Sequence, residues 1–349
     1  KEAMRRTAEL QGCNIFPPQV AIAAERMIDA GLLPKEPFLQ KEEELPVDVA
    51  EGVRVFTPYL KSKGPAYKQP QKRKLKRDTI VDFKNVTVKY RAVKGEPPKI
   101  FDDFSLQIGK GEKIALIGSN GAGKSTMLKM MMGLIRPESG RVLLNGRPTI
   151  DLPKEELGRT ISMVYQNPEE MFIKDSIRKD IEYAMMVRKV EDYQKRTDEL
   201  LEMFRLTDLQ DRDGRLLSGG QMRRASLAIG IALQPEILLL DEPTANLDIA
   251  TRREIMKTLQ MLKGITDTVV IATHDMQLVC DWAERLIVLS AGYVIADGTK
   301  EEIFSDMYVR RQVGIRLPQI CDMGRALGIE NPCFTIDEFM EYFRGEKYA

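Results

Sequence analysis

The sequence predicts an α/β domain built on a mostly parallel sheet, and three observations carry that prediction. From Ile80 onward, short apolar strands alternate with amphipathic helices. One strand, residues 114–117, runs into a glycine-rich loop and then a helix over residues 126–134. Two more, residues 237–240 and 268–272, are near-continuous apolar runs followed by Asp241-Glu242 and Thr273-His274-Asp275. Strands buried on both faces read in this way, and ligand groups collect at their carboxyl ends.

In chain order, residues 1–40 mix helix and loop. Pro17-Pro18 opens a helical pattern of Val20, Ala23, Ala24, Met27 and Ile28 that Gly31 closes. Residues 41–78 are charged, lack a clear period and end in a basic run at 72–77, which reads as a linker. That run could attract anionic lipid, although a solvated linker is the simpler reading. Residues 79–305 form the main domain. Residues 306–349 are a helical tail, with a capping box at Thr335 and Glu338 and a stop at Gly345.

This tail echoes the start of the chain. Arg325-Ala326-Leu327-Gly328 leads to Pro332 and a helix, as Glu9-Leu10-Gln11-Gly12 leads to Pro17 and a helix. The echo reads either as two unrelated capped helices or as residues 1–40 being the tail of a preceding homologous domain. A chain starting at Lys1 fits a longer or processed product.

Composition removes several classes of function. The chain has 349 residues, 43% of them hydrophobic, enough for a sizeable core and a soft prior of two domains. A net charge of +1 gives no reason to expect a nucleic-acid partner. The four cysteines are far apart and form no Cys-x-x-Cys pair, so neither a disulfide framework nor a cysteine zinc site is expected. A lone histidine, His274, excludes multi-histidine metal sites. No signal peptide is apparent, and no run of about 18 apolar residues supplies a transmembrane helix.

Three motifs carry the chemistry. Gly118-Ser119-Asn120-Gly121-Ala122-Gly123-Lys124-Ser125, followed by Thr126, fits the phosphate-binding loop pattern between a strand and a helix. Its glycines let backbone N–H groups turn inward around phosphate oxygens, and the helix N-terminus adds partial positive charge. Lys124 would reach the β- and γ-phosphates, and the Ser125 hydroxyl would sit on Mg²⁺. Asp241 would hold Mg²⁺ directly or through water, and Glu242 would polarise the attacking water. Leu217-Ser218-Gly219-Gly220-Gln221 opens another helix and makes a second anion site. One nucleotide does not need two such sites in one subunit, so the second implies a partner's nucleotide.

With these motifs residues 79–345 resemble the ABC ATPase family, the nucleotide-binding subunits of ABC transporters. The resemblance implies a P-loop NTPase of the ABC fold, with a parallel-sheet core, an antiparallel β subdomain that includes the strand 104–108, and an α-helical subdomain at about 168–222. It implies ATP and Mg²⁺ as ligands and ATP hydrolysis as the reaction. Tyr90 would stack on adenine. Gln166 would join the Mg²⁺ and water shell and link to the membrane partner. Asn246 and Asp248 would lie in the loop that crosses to the other subunit, and His274 would be the switch histidine that contacts the γ-phosphate. Two such domains would close head-to-tail around two ATP molecules, bound to an integral membrane transport subunit at the cytoplasmic face.

Within the family, the segment from Gln166 to Phe172 and the tail from Asp297 through Phe304 resemble energy-coupling-factor and cobalt-type importers. Some of those carry two ATPase domains in one chain, which would account for residues 1–40. Met171 and Phe172 either line a groove for a coupling helix or pack inside the helical part. Met130, Met131 and Met132 read as core filler. The competing readings are a soluble tandem ABC ATPase acting on ribosomes and another transporter branch. DNA-repair members insert a long coiled coil between the glutamine and serine motifs, whereas Ser218 follows Gln166 by only 52 positions, without heptads.

Overall fold

The computed structural model describes residues 2–13, 15–39, 44–64, 78–89, 99–245, 247–262 and 264–344. Tyr90, Asn246, Gly345 and the basic run lie outside the described residues. Four helices come first: α1 (Thr7–Gly12), α2 (Gln19–Asp29), α3 (Glu36–Leu39) and α4 (Val49–Phe56). Helix α4 corrects the expected linker at 41–78. Asp48 caps it by accepting from the Glu51 amide at 2.9 Å, and Val55 and Phe56 are fully buried. Five of its eight residues are apolar, Val49, Ala50, Val53, Val55 and Phe56, but two turns are too short for their spacing to stand out within the charged stretch 41–78.

Strands β1 (Thr79–Lys89) and β2 (Lys99–Gly109) pair antiparallel, and β3 (Lys113–Ile117) leads into α5 (Lys124–Met131). Strands β4 (Ser139–Leu144) and β5 (Arg147–Pro148) complete a four-stranded sheet ordered β2-β1-β4-β5. Helix α6 (Lys154–Thr160) and strand β6 (Ile161–Val164) precede the helical part, which holds α7 (Ile177–Val187), α8 (Tyr193–Met203) and the start of α9 (Gly219–Ile231). Then come β7 (Ile237–Asp241), α10 (Ile249–Met261), β8 (Thr268–Ala272), α11 (Met276–Trp282), β9 (Arg285–Ser290) and β10 (Tyr293–Gly298). The tail holds α12 (Lys300–Ser305), α13 (Met307–Val313), α14 (Gln319–Ala326) and α15 (Ile336–Arg344).

The second sheet runs β10-β9-β3-β8-β7-β6, parallel except at its β10 edge. Every residue of β7 and β8 is buried, as the apolar runs predict. Leu116 pairs with Ala272, and Ala272 with Asp241, so β3, β7 and β8 end together along one edge. Met130 and Met131 are fully buried core residues. Phe172 is buried too: a Cβ on Gly214 would meet its ring at 2.3 Å. It packs inside the helical part rather than lining an open groove, and Ile173 next to it is the exposed residue.

The N-terminal helices and the tail pack into one joint. Phe56 of α4 meets Phe339 and Phe343 of α15 edge-on, with centroids 5.4 and 6.0 Å apart. Helices α2 and α14 exchange bonds reciprocally: the Val20 amide donates to Gln319 Oε1 at 3.2 Å and the Ile320 amide to Gln19 Oε1 at 3.0 Å. Both helices start after a proline, Pro18 and Pro318, and both end at a glycine with φ +70°, Gly31 and Gly328. The closing bonds match as well, Leu32 amide to Met27 carbonyl and Ile329 amide to Gly324 carbonyl. The repeated helices are therefore α2 and α14. This corrects the register expected from Pro17 and Pro332, which sets α2 against α15. Helix α2 is three residues longer than α14, which shifts its closing glycine and disguises the match.

Candidate active site

The phosphate-type loop joins β3 to α5 at the carboxyl edge of the parallel sheet. Ser119, Asn120 and Gly121 are exposed at its mouth, while Ala122, Gly123, Lys124 and Thr126 are buried. Two glycines are required by space. A Cβ on Gly118 would lie 2.3 Å from the Leu289 carbonyl oxygen, and one on Gly123, at φ +103°, 2.6 Å from the Phe101 ring. The Lys124 ammonium donates to the carbonyl oxygens of Gly118 at 2.7 Å and Ser119 at 3.3 Å, which holds the cation within the loop. Burial lowers its pKa, against the opposing pull of Glu242 and Asp241.

Asp241 ends β7. Burial raises its pKa, and its hydrogen bond with Ser125 and the nearby Lys124 charge work against that rise. Glu242 follows at φ +47°, a backbone region that costs a non-glycine residue on the order of 1–3 kcal/mol. The strain is held by the Glu242 amide, which donates to the Ala272 carbonyl at 2.8 Å. It turns the side chain toward the end of β8. There Glu242 Oε2 lies 2.9 Å from His274 Nδ1, 3.3 Å from the Thr273 hydroxyl and 3.4 Å from the His274 amide. The His274 side chain itself is 69% exposed, so this edge opens to solvent.

The structure thus brings Lys124, Ser125, Asp241, Glu242 and His274 to one sheet edge. Gln166 is exposed just after β6. Ser218 caps α9 in a closed box: its hydroxyl accepts from the Gln221 amide at 3.4 Å, and its own amide donates to Gln221 Oε1 at 3.1 Å. Among the described residues no hydrogen bond or ion pair joins 218–221 to 118–125. Gly219 is open to solvent, while a Cβ on Gly220 would meet Thr251 Cγ2 at 2.5 Å. Asp248 caps α10 through the Thr251 amide at 3.0 Å and the Thr251 hydroxyl at 2.7 Å, bonds that hold its carboxyl below the usual range. The serine loop and the Asp248 loop therefore share one edge through Thr251.

Arg223 escaped the sequence reading. It is buried on α9, and its guanidinium donates to the carbonyls of Tyr165 at 2.8 Å and Gln166 at 2.7 Å. Burial pushes its pKa down to about 10 against the pull of Asp241. It ties the helix behind Ser218 to the Gln166 loop, so neither can shift alone. A basic pair, Arg223-Arg224, inside an otherwise apolar helix was the available signal.

The sequence profile of the ABC transporter family matches residues 101–245. A cobalt import ATP-binding protein of Rhodobacter capsulatus is 35% identical over 238 residues, 67% of this chain and 85% of the relative. An energy-coupling factor transporter ATP-binding protein of Caldanaerobacter subterraneus is 34% identical, over 75% of this chain and 98% of the relative. Among solved structures, the dimeric ATP-binding cassette MJ0796 bound to ADP and Pi superposes with a TM-score of 0.57 at 31% identity. That match covers 63% of this chain and 98% of that one.

Proposed function

We propose that this chain, which belongs to the ABC transporter family of ATP-binding subunits and hydrolyses ATP, powers an importer of the energy-coupling-factor type. The observation that carries the reading is the convergence of Lys124, Ser125, Asp241, Glu242 and His274 on one edge of the parallel sheet. Lys124 and the loop amides bind the β- and γ-phosphates. Glu242, adjacent to His274, orients and polarises the attacking water for in-line displacement, and His274 meets the γ-phosphate. Tyr90 stacks on adenine.

The residues present fit Mg²⁺. Asp241 and Ser125 offer hard oxygen donors that already touch each other, and among the described residues no cluster of three or more His, Cys, Asp or Glu competes for a metal. Bound there with Gln166 nearby, Mg²⁺ neutralises charge on the phosphate oxygens.

Two cassettes close head-to-tail, with Ser218, Gly219, Gly220 and Gln221 of one facing the nucleotide of the other, and Asn246 and Asp248 crossing between them. The exposure of His274 and of the serine loop supports this. Ile173, Met186 and Val187, exposed apolar residues of the helical part, support a contact with a membrane transport subunit. Membrane attachment comes through that subunit; among the described residues no helix is long and apolar enough to cross a membrane. Helices α2 and α14 are related as the tails of two homologous cassettes would be, which supports reading the N-terminal unit as the tail of a preceding ATPase domain.

The test is ATPase rate per molecule against protein concentration, with and without Ser218→Arg. A rate that rises with concentration and is lost in the variant while ATP still binds supports the head-to-tail mechanism. A constant, undiminished rate in a monomeric sample overturns it. Recovery of ribosomes rather than a membrane subunit with the purified protein overturns the importer reading.

A further inference from the structure

The segment that enters α2 reaches the residues behind His274. Asp275, next to His274, is satisfied on all sides. Its Oδ1 accepts from the Leu278 amide at 3.1 Å and pairs with the Arg252 guanidinium. Its Oδ2 accepts from the Thr244 hydroxyl at 2.8 Å, and its amide donates to the Thr273 hydroxyl at 3.0 Å. Thr273 in turn bonds to Glu242. Asp275 therefore fixes where the loop holding Glu242 and His274 sits.

Two contacts from the N-terminal segment bracket this carboxylate. The Phe16 ring covers Arg252, with the guanidinium carbon 5.2 Å from its centroid. Gln19 uses both ends of its amide: Nε2 donates to Gln277 Oε1 at 2.8 Å, in the first turn of α11, and Oε1 accepts from the Ile320 amide. Phe16 is 51% exposed, so its contact with Arg252 is made at the surface.

We infer that Phe16 and Gln19 are positioning residues for the His274 loop, so that the joint between α2 and α14 sets the geometry of hydrolysis. Phe16 acts by fixing Arg252 on Asp275, and Gln19 by fixing the first turn of α11. Neither touches nucleotide. A loosened Asp275 lets the Glu242–His274 pair sample unproductive arrangements, which lowers kcat and leaves ATP binding to the phosphate loop intact. The inference rests on His274 being the group that meets the γ-phosphate. If the N-terminal unit is a second cassette's tail, the switch of this cassette is set by the tail of the other.

The experiment is steady-state ATPase kinetics on the full chain, comparing Phe16→Ala, Phe16→Tyr and His274→Ala. Phe16→Ala is expected to lower kcat on the order of two- to fivefold, with KM for ATP unchanged, as the loss of one cation–π contact implies. Phe16→Tyr, which keeps the ring, is expected to restore kcat. His274→Ala is expected to abolish turnover while ATP still binds. If His274→Ala leaves turnover intact, the switch reading fails and the inference with it. If His274→Ala is inactive but Phe16→Ala matches the unaltered chain in kcat, the inference alone is overturned. Equal changes in kcat and KM, or failure of tyrosine to rescue, also overturn it. Should Phe16→Ala not fold, Gln277→Ala breaks the second contact, and an unchanged kcat there overturns the inference.

Discussion

The phosphate loop and the α2–α14 joint are both held by hydrogen bonds between a side chain and the backbone, yet they tolerate change in opposite ways. In the loop the constraint is local. Gly118 and Gly123 have no room for a Cβ, and Lys124 is held by carbonyls five and six residues before it. In the joint the constraint is spread over chain separations near 300 residues, through two glutamines and a set of phenylalanines. Chemistry demands a fixed string of residues, whereas packing demands only complementary shape and volume. The two regions should therefore fail differently: the site by loss of rate without loss of fold, the joint by loss of stability with a smaller loss of rate.

Glu242→Gln gives the largest separation between them. The variant keeps Lys124, Ser125 and Asp241, so ATP should still bind, while turnover falls by at least about 3 kcal/mol in barrier, more than a hundredfold. Its thermal unfolding should stay close to that of the unaltered chain. Near-normal ATPase activity in the assembled complex would remove Glu242 from the chemistry.

Phe56→Ala is the converse. Phe56 is fully buried against Phe339 and Phe343, and its truncation should cost about 3–5 kcal/mol of stability. At temperatures below unfolding, ATP affinity should not change. A loss of ATP affinity in a folded sample would mean that joint and loop are not separable.

Tyr90→Ala sharpens the site side. Loss of base stacking should weaken ATP binding by about 1–3 kcal/mol and leave kcat at saturating ATP nearly unchanged. Isothermal titration with ATP decides it, and unchanged affinity would leave Tyr90 without a nucleotide role.

The same contrast explains what could be read without coordinates. The loop, Asp241-Glu242 and the Ser218 helix start were legible because each needs particular residues at fixed spacing. Glu242's strained backbone and its contact with His274 were not, since they arise where β7 and β8 end side by side. Helix α4 was missed because two turns are too short for its apolar spacing to stand out within a charged stretch. The repeat was seen in outline but set in the wrong register. Its diagnostic residues are single glutamines after prolines, Gln19 and Gln319, and these acquire meaning only when their amides cross.

Those glutamines supply the smallest and most pointed test. If the joint is a true repeat, Gln19→Ala and Gln319→Ala remove equivalent bonds. Each leaves one backbone amide, of Ile320 or Val20, without its acceptor, and both residues are fully buried. Each substitution should therefore cost about 1–2 kcal/mol, and the two values should agree within roughly 0.5 kcal/mol. Their effects on rate should differ, because only Gln19 also bonds to Gln277 beside the His274 loop, whereas Gln319 turns its second bond to the Val47 carbonyl in the joint itself. Urea midpoints and kcat measured on the same samples separate the two quantities. Equal stability losses with a rate change confined to Gln19→Ala fit a symmetric joint with one arm on the active site. Unequal stability losses would show that the matching bonds do not carry matching energies, and a rate change in Gln319→Ala would show that the joint acts on the site as a whole rather than through that arm.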